Sequence, residues 1–191
     1  MDSGVRRDER WKESFGVLTA ERTRFNEADT AAACLCAAGT TRPPRGDRLV
    51  RLTQRLNSAE TFAATLAGAR IEAAPDIVFF MRDAGETARG GLGPIHLRPD
   101  EPAVWDGRFE IACSEAATIA PLKGHSARLP AKEREALRAV PVAARPALPI
   151  LVTAAGATCP LLAQAPTAKV TPLALERFRA ARGFTVREED L

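Results

Sequence analysis

Around Trp105 the chain alternates apolar and polar residues on both sides of a turn signal. Residues 101–112 read EPAVWDGRFEIA, with Asp106-Gly107 at the centre. This dipeptide is typical of tight hairpin turns, because glycine tolerates a positive φ angle and aspartate bonds to nearby backbone. The pattern predicts a hairpin in which Trp105 and Phe109 pack across the turn. Arg108 is predicted on the opposite, exposed face, where it either has no further role or presents a cation beside the aromatic pair.

Other segments show the alternation of strands or the 3.6-residue period of helices. Strands are predicted at residues 61–66, 69–73, 77–82, 118–122, 149–153, 159–163 and 184–186. Helices are predicted from apolar faces or capping residues at 11–18, 31–38, 47–56, 131–138 and 171–182. The expected fold is α+β, with a helical arm at residues 1–56 and a mainly antiparallel β-sheet domain with two short helices at residues 57–191.

The predicted helix at residues 47–56 carries two adjacent stripes, one of leucine and one of arginine. The stripes consist of Leu49, Leu52 and Leu56 and of Arg48, Arg51 and Arg55. One flank of the helix is therefore apolar and the next is cationic. The cationic flank is either an ordinary solvated face or a ridge that faces phosphate groups, which Arg45 would extend. Arginine suits the second role, because its planar fork binds phosphate oxygens in a bidentate way.

The amino-acid composition is that of a globular protein with little net charge. The chain has 191 residues, 46% of them hydrophobic, and a formal net charge of +3. This charge does not indicate nucleic-acid binding by itself, but it permits binding where arginines cluster. The first ten residues lack the apolar core of a secretory signal, and no apolar run approaches the roughly 20 residues that span a bilayer. We therefore expect a soluble, cytoplasmic protein without a membrane partner.

Few residues in the sequence could carry out catalysis. His96 and His125 are the only histidines, and neither has a second metal-ligating residue at a suitable spacing. The four cysteines form no C-x-x-C pair, and the apolar surroundings of Cys113 and Cys159 predict burial. The glycine-rich segment 83–94 lacks the Lys-Ser/Thr of a P-loop. The sequence therefore predicts no catalytic residue and no metal site.

Four segments, taken in order, resemble the C-terminal half of tRNA(Ile)-lysidine synthase, and most closely its alphaproteobacterial forms. They read RPPRGDRLVRLTQRL at 42–56, TLAGARIEAAPDIVFFMRDAGE at 65–86, VWDGRFEI at 104–111 and ARPALPILV at 144–152. The resemblance covers residues 38–165 and depends on the ordered set, since no single motif is diagnostic. Residues 1–37 depart from the helical middle section that is usual in this family.

The resemblance implies an ATP-dependent ligase of the PP-loop superfamily. Such an enzyme adenylates the wobble cytidine of an isoleucine tRNA, and the amine of free lysine then displaces AMP. The family uses ATP and Mg²⁺ in its N-terminal half, whose S-G-G-x-D-S motif is absent here, so no cofactor is expected in this chain. The matched part is expected to position tRNA, and the candidate backbone contacts are Arg45, Arg48, Arg51, Arg55 and Arg108.

Two interpretations remain open at this point. In the first, the chain is the tRNA-positioning part of a lysidine synthase and is inactive alone, and its PP-loop catalytic half is either missing or encoded separately. In the second, it is a stand-alone interaction module or a decayed remnant with no enzymatic role. A neighbouring reading frame that encodes S-G-G-x-D-S would favour the first interpretation.

Overall fold

The computed structural model describes residues 10–89, 92–164 and 168–183 and confirms the predicted α+β class. The described strands are β1 Trp11–Ser14, β2 Val17–Glu21, β3 Phe62–Leu66, β4 Ala69–Ala73, β5 Ile77–Arg82, β6 Ile95–Leu97, β7 Ala103–Trp105, β8 Phe109–Cys113, β9 Ala117–Pro121, β10 Pro149–Thr153, β11 Gly156–Thr158 and β12 Ala168–Pro172. The described α-helices are α1 Glu27–Ala37, α2 Asp47–Leu56, α3 Ala131–Ala136 and α4 Ala174–Ala181.

The strands form three antiparallel sheets. Sheet I has the order β1-β2-β5-β4-β3, sheet II the order β11-β10-β9-β6, and sheet III the order β12-β8-β7. In sheet I, β3 and β4 are joined at Ala67-Gly68, whose φ angles are 50° and 83°. Two successive positive φ angles are typical of the type I′ turn, whose twist matches that of the flanking strands. Strand β3 is an edge strand of sheet I, since it pairs only with β4.

Sheet I is covered by helices on one face. Leu18, Ile71 and Phe80 are fully buried there and pack in one core with residues of α1, α2 and α4. Trp11 from β1 contributes to the same core, with its ring centroid 4.2 Å from that of Phe178 in α4. This aromatic contact attaches the last described helix, α4, to the first described strand, β1, so these two elements stabilise each other.

Two further cores connect the other layers. Val17 and Met81 lie on the opposite face of sheet I and pack with Ile150 of sheet II. Sheet III packs on sheet II through Trp105, Phe109 and their neighbours. The predicted hairpin is confirmed, because Trp105 pairs with Phe109 across Asp106-Gly107 and their ring centroids are 6.2 Å apart. Within the described residues the longest helix has 11 residues, and none is long and apolar enough to cross a bilayer.

The helix predicted at residues 11–18 is wrong, because this segment forms the β1–β2 hairpin. Phe15 and Gly16 make its turn, with φ angles of 55° and 70°. The spacing of Trp11, Phe15 and Leu18 matches a helical period by coincidence, and Gly16 is the sequence signal against a helix. Strand β2 also pairs with β5, so sheet I crosses the proposed boundary after residue 56. The division into an arm and a domain stays a prediction.

Several other predictions need smaller corrections. The strand after β10 is β11, so the prediction of a strand at 159–163 is placed too late. Thr171-Pro172 ends β12 instead of starting a helix. A proline is tolerated there because β12 is an edge strand of sheet III. Helix α1 starts earlier than predicted, since the Asn26 side chain caps it by accepting from the backbone N–H of Asp29 at 2.7 Å. The strand predicted at 184–186 lies outside the described residues.

A buried carboxylate joins the three sheets. Asp106, in the turn of sheet III, accepts a bond from Arg82 Nη2 at 3.0 Å and one from Arg108 Nε at 2.7 Å. Arg82 is the last residue of β5 in sheet I. Arg108 also donates from Nη2 to the carbonyl oxygen of Ala147 at 2.7 Å, directly before β10 of sheet II. We call Arg82, Asp106 and Arg108 the central ion cluster.

The predicted exposure of Arg108 is therefore wrong, since only 2% of the residue is accessible to solvent. Burial lowers the pKa of Arg108, and the charge of Asp106 opposes that shift. Arg108 precedes β8 and does not lie on the face opposite Phe109, because its guanidinium carbon lies over the Phe109 ring, 4.9 Å from the ring centroid. In this position the Arg108 guanidinium cannot reach a ligand on the surface.

The end of α1 lies directly against the same turn. A Cβ atom added to Gly39 would lie 1.8 Å from the carbonyl oxygen of Asp106, and one added to Gly107 would lie 2.3 Å from the carbonyl oxygen of Gly39. Arg177 of α4 donates to the carbonyl oxygens of Gly107 and of Thr40, the latter at 2.7 Å. The two backbone segments thus touch where neither can accommodate a side chain.

We expect Gly39→Ala to lower the free energy of unfolding by about 2–5 kcal/mol, because it adds a backbone clash to a φ angle of +66°. Gly124→Ala is the matched control. Gly124 has a φ angle of +80° but nothing within 4 Å of an added Cβ, so its substitution is expected to cost about 1 kcal/mol. Urea denaturation measures both. Equal losses would show that the contact between α1 and the turn contributes nothing.

Glu13 of β1 has a carboxylate that caps helix α4. Its oxygens accept bonds from the backbone N–H groups of Ala174 at 3.3 Å and Leu175 at 2.8 Å. Burial raises the pKa of Glu13 above its ordinary value of 4.5, although these two hydrogen bonds and the charge of Arg108 act in the opposite direction. The folded chain therefore holds a proton on Glu13 at pH values where the unfolded chain has released it.

The raised pKa of Glu13 predicts how the contribution of this residue to stability changes with pH. As the pH rises above 4.5, Glu13 must ionise in a poorly solvated place, so its contribution to stability falls. The free energy of unfolding of the native chain minus that of Glu13→Gln is expected to be largest near pH 4 and to decrease towards neutral pH. Other titrating groups cancel in this difference. If this difference in the free energy of unfolding increased with pH, it would contradict a raised pKa of Glu13.

Candidate nucleic-acid interface

Helix α2 exposes its arginines because its leucines are fixed in the core of sheet I. Leu49, Leu52 and Leu56 are 6%, 5% and 1% exposed, as their spacing predicts. Arg48 and Arg51 are exposed on the adjacent flank, and Arg45 is exposed just before the helix. The structure thus brings four of the five predicted contact residues, Arg45, Arg48, Arg51 and Arg55, onto one surface. We call these four residues the arginine ridge.

The C-terminal end of α2 is held by Arg22, a residue that the sequence pattern did not single out. Its guanidinium donates to the carbonyl oxygens of Leu56 at 3.1 Å, Arg55 at 3.0 Å and Ser58 at 2.6 Å. A cation at this end donates hydrogen bonds to carbonyl groups that have no partner inside the helix, and it also interacts favourably with the negative end of the helix dipole. The Nη1 atom of Arg22 donates to Ala74 in the β4–β5 turn at 2.9 Å. The ridge is therefore carried by a helix whose position is fixed.

Asn57 adds a second attachment at the same end. Its amide bonds the backbone N–H and C=O of Phe25, each at 2.8 Å. The hydrogen bonds of Arg22 and Asn57 connect the C-terminal end of α2 to segments that are distant in sequence. Local spacing predicts neither interaction. A sequence signal exists only for Asn57, because asparagine is common just after a helix.

Three arginines of the ridge have no competing partner in the described part of the chain. Arg45, Arg48 and Arg51 make no ion pair and no side-chain hydrogen bond to residues 10–89, 92–164 or 168–183. An exposed arginine without a partner binds a phosphate without first breaking an internal contact. Helical geometry separates the Cα atoms of Arg48 and Arg51 by about 4.5 Å along the axis and places both residues on one flank. The arrangement can bind a polyanion.

Arg55 differs from the other ridge residues because it is held on two sides. Its Nη2 atom bonds Glu60 Oε1 at 2.7 Å, and its Nε atom bonds Glu60 Oε2 at 3.3 Å. Its guanidinium carbon also lies over the Phe62 ring, 4.0 Å from the centroid. The hydrogen bond from Arg55 lowers the pKa of Glu60, so this carboxylate is charged at neutral pH. Arg55 is thus oriented by Glu60 and Phe62.

An open groove of about 280 Å³ lies between the arginine ridge and β3. It is lined by three arginines, Arg48, Arg51 and Arg55, and by Leu52, Ala64, Thr65 and Leu66. Cationic groups beside apolar side chains fit a ligand that has both a flat apolar part and negative charge. The groove runs along an edge strand.

A larger cavity of about 560 Å³ is less suited to bind an anion. It is lined by Arg10, Asp29, Arg182 and neighbouring residues. Both arginines are bonded to the Asp29 carboxylate, Arg10 at 3.0 Å and Arg182 at 2.7 Å. Their charge is partly balanced inside the protein. The arginine ridge is therefore the stronger candidate.

The described residues contain no group of three metal-ligating side chains. All four cysteines are buried, as predicted for Cys113 and Cys159. Burial raises the pKa of Cys34 to about 12, of Cys36 to about 11 and of Cys159 to about 12, so these thiols remain protonated at neutral pH and are poor nucleophiles.

The chain is 46% identical over 169 residues to the tRNA(Ile)-lysidine synthase of Caulobacter vibrioides, a match that covers 84% of this chain. This chain resembles the C-terminal part of a lysidine synthase. It spans only 41% of the length of that relative. The resemblance predicted from four sequence segments is thus confirmed. No protein-family model matches the chain, and no solved structure matches it.

The pairing of Arg55 with Glu60 gives a first prediction for the surface. Replacing Glu60 with glutamine removes a negative charge that competes with phosphate for Arg55. We expect the affinity for polyuridylate at low salt to rise by about twofold to fivefold, the equivalent of one exposed ion pair. Thermal stability is expected to change little. Fluorescence anisotropy measures the affinity.

Glu101→Gln provides the control, since Glu101 faces Arg98 at 3.7 Å in a more exposed pair outside α2. This variant makes the same change in net charge and is expected to leave the affinity unchanged. If both variants gain equally, the effect comes from overall charge and the ridge has no special role.

Proposed function

We propose that this chain binds tRNA as the positioning part of a lysidine synthase-like protein. The observation that carries this proposal is the exposure of Arg48 and Arg51 on α2 without a partner among the described residues, in a chain that is 46% identical to part of a tRNA(Ile)-lysidine synthase. A modifying enzyme must hold a large tRNA while the reaction takes place at one base. Arginine contacts to the sugar–phosphate backbone provide such holding, because they add affinity and orientation without reading sequence.

The proposed contacts are Arg45, Arg48 and Arg51, with Arg55 at the C-terminal end of the same ridge. Arg48, Arg51 and Arg55 lie on α2, which is fixed by its buried leucines and by Arg22, so their backbone positions are set before RNA arrives. A fixed backbone lowers the conformational cost of binding. Arg108 is not part of the proposal, since it is buried in the central ion cluster.

The wider setting follows from the relative and is proposed in the same sense. We infer that the tRNA is an isoleucine acceptor, that the site of action is cytoplasmic, and that the modified base is the wobble cytidine. ATP and Mg²⁺ would be bound by a PP-loop catalytic half supplied outside this sequence. This chain would then contribute binding energy to the ligase reaction and would have no activity alone.

The proposal predicts the effect of a triple charge reversal, Arg45→Glu, Arg48→Glu and Arg51→Glu. Affinity for tRNA is expected to fall by at least about tenfold in low salt. Since three phosphate contacts are lost, the slope of log affinity against log salt is expected to become shallower by about 2–3. Filter binding at several potassium chloride concentrations measures both quantities.

The matched control is Arg98→Glu, Lys123→Glu and Arg138→Glu, three exposed residues outside α2. This triple changes the net charge by the same amount, so it separates a local surface from a general electrostatic effect. Circular dichroism checks that both proteins are folded. Unchanged tRNA affinity in the ridge variant, or equal losses in both variants, would disprove the proposed interface.

A further inference from the structure

The groove beside the arginine ridge has a feature that simple phosphate binding does not require. Its wall includes Arg55, whose guanidinium lies 4.0 Å from the centre of the Phe62 ring. Glu60 holds the edge of the same guanidinium with two hydrogen bonds. One face of Arg55 is therefore covered by an aromatic ring and its edge is occupied, while 42% of its side chain remains exposed. The remaining exposed surface borders the groove.

A guanidinium plane is a good stacking partner for a nucleobase, because it is flat, weakly hydrated and positively charged. In RNA-binding proteins, unstacked bases commonly lie on aromatic rings or on arginine planes. Here Phe62 is only 8% exposed, so it cannot itself receive a base. The Phe62 ring can instead pack against the inner face of the Arg55 guanidinium. The ring, the guanidinium and the base would then follow one another from the core to the solvent.

The rest of the groove fits the other parts of a nucleotide. Ala64 and Leu66 provide an apolar surface for a base, and the volume of about 280 Å³ lies just below the range for drug-sized ligands, as a site for a single base requires. Arg48 and Arg51 line the same groove and could bind the phosphates on either side of that base. A regular duplex presents its bases stacked and paired, so it could use these arginines but could not place a base in the groove.

We infer that the groove between α2 and β3 binds one unpaired nucleotide of an RNA strand, with its base stacked on Arg55. This inference rests on the proposed RNA-binding function and extends it to a single-stranded substrate element. Stacking needs the planar group of Arg55, whereas the phosphate contacts of Arg48 and Arg51 need mainly positive charge. The two roles can be separated by substituting lysine, which keeps the charge and removes the plane.

The test compares Arg55→Lys with Arg51→Lys on two probes. The first probe is a short single-stranded oligouridylate that contains one 2-aminopurine, whose uridine neighbours stack on it only weakly, and the second is a fully paired RNA duplex of the same length. Arg55→Lys is expected to weaken binding of the single strand by at least about fivefold. Its affinity for the duplex is expected to stay within about twofold of the native value. Arg51→Lys is expected to change both affinities alike.

The fluorescence of 2-aminopurine gives a direct signature of stacking. It is expected to be quenched on binding to the native chain and to recover in the Arg55→Lys complex at saturating protein. Because Arg55 also packs on Phe62, a second variant guards against a loss of structure. Ala64→Met keeps every arginine and fills the groove floor, so it is expected to reduce quenching and single-strand affinity while duplex binding persists.

The failure of this inference differs from the failure of the proposed function. Salt-dependent tRNA binding that needs Arg45, Arg48 and Arg51, together with unquenched 2-aminopurine, would overturn the nucleotide site and leave the phosphate ridge standing. Equal losses of single-strand and duplex affinity in Arg55→Lys would also overturn it. Absence of any RNA binding would overturn both.

Discussion

The structure depends on one buried carboxylate that lies between two arginines. Asp106 is 6% exposed in its side chain, and the side chains of Arg82 and Arg108 are 5% and 3% exposed. Removing one partner from such a buried group costs about 3–5 kcal/mol, because a charge is left without compensation. Asp106 and Arg108 lie in one turn of sheet III, and Arg82 ends strand β5 of sheet I. The ion cluster therefore requires sheets I and III to be in one relative position, with sheet II attached through Arg108 and Ala147.

The close backbone contact at Gly39 adds a steric requirement to this electrostatic one. Helix α1 ends against the Asp106 turn, and Arg177 bonds the backbone of both segments. Since α1 also packs against α2, the position of the arginine ridge is connected to the centre of the protein through helix packing. A buried charge cluster is weak support for net stability, but it does discriminate against alternative arrangements of the layers.

Local pattern was sufficient to predict α2, the strand pair β3–β4 and the Trp105 hairpin. In each of these the leucine stripe, the Ala67-Gly68 turn or the Asp106-Gly107 turn specifies the structure within about ten residues. The pattern failed at residues 11–18, where three apolar residues fit both a helix and a hairpin and Gly16 decided the outcome. It also failed for the exposure of Arg108, because a local pattern does not show which distant segments cover a side chain. Arg108 bonds the carbonyl oxygen of Ala147, 39 positions away, and shares Asp106 with Arg82, which lies 24 positions before that aspartate.

The same limit explains which arginines a sequence can assign to a surface. Arg22, Arg82, Arg108 and Arg177 all bond groups inside the protein, whereas Arg45, Arg48 and Arg51 have no such partner among the described residues. What distinguishes Arg48 and Arg51 is helical spacing beside a leucine stripe, a local property that survives folding because the leucines determine which flank is buried. For this reason a net charge of only +3 is compatible with a strongly cationic surface. The internal arginines are neutralised or satisfied by backbone oxygens, whereas Arg45, Arg48 and Arg51 have no such partner among the described residues and remain available to a polyanion.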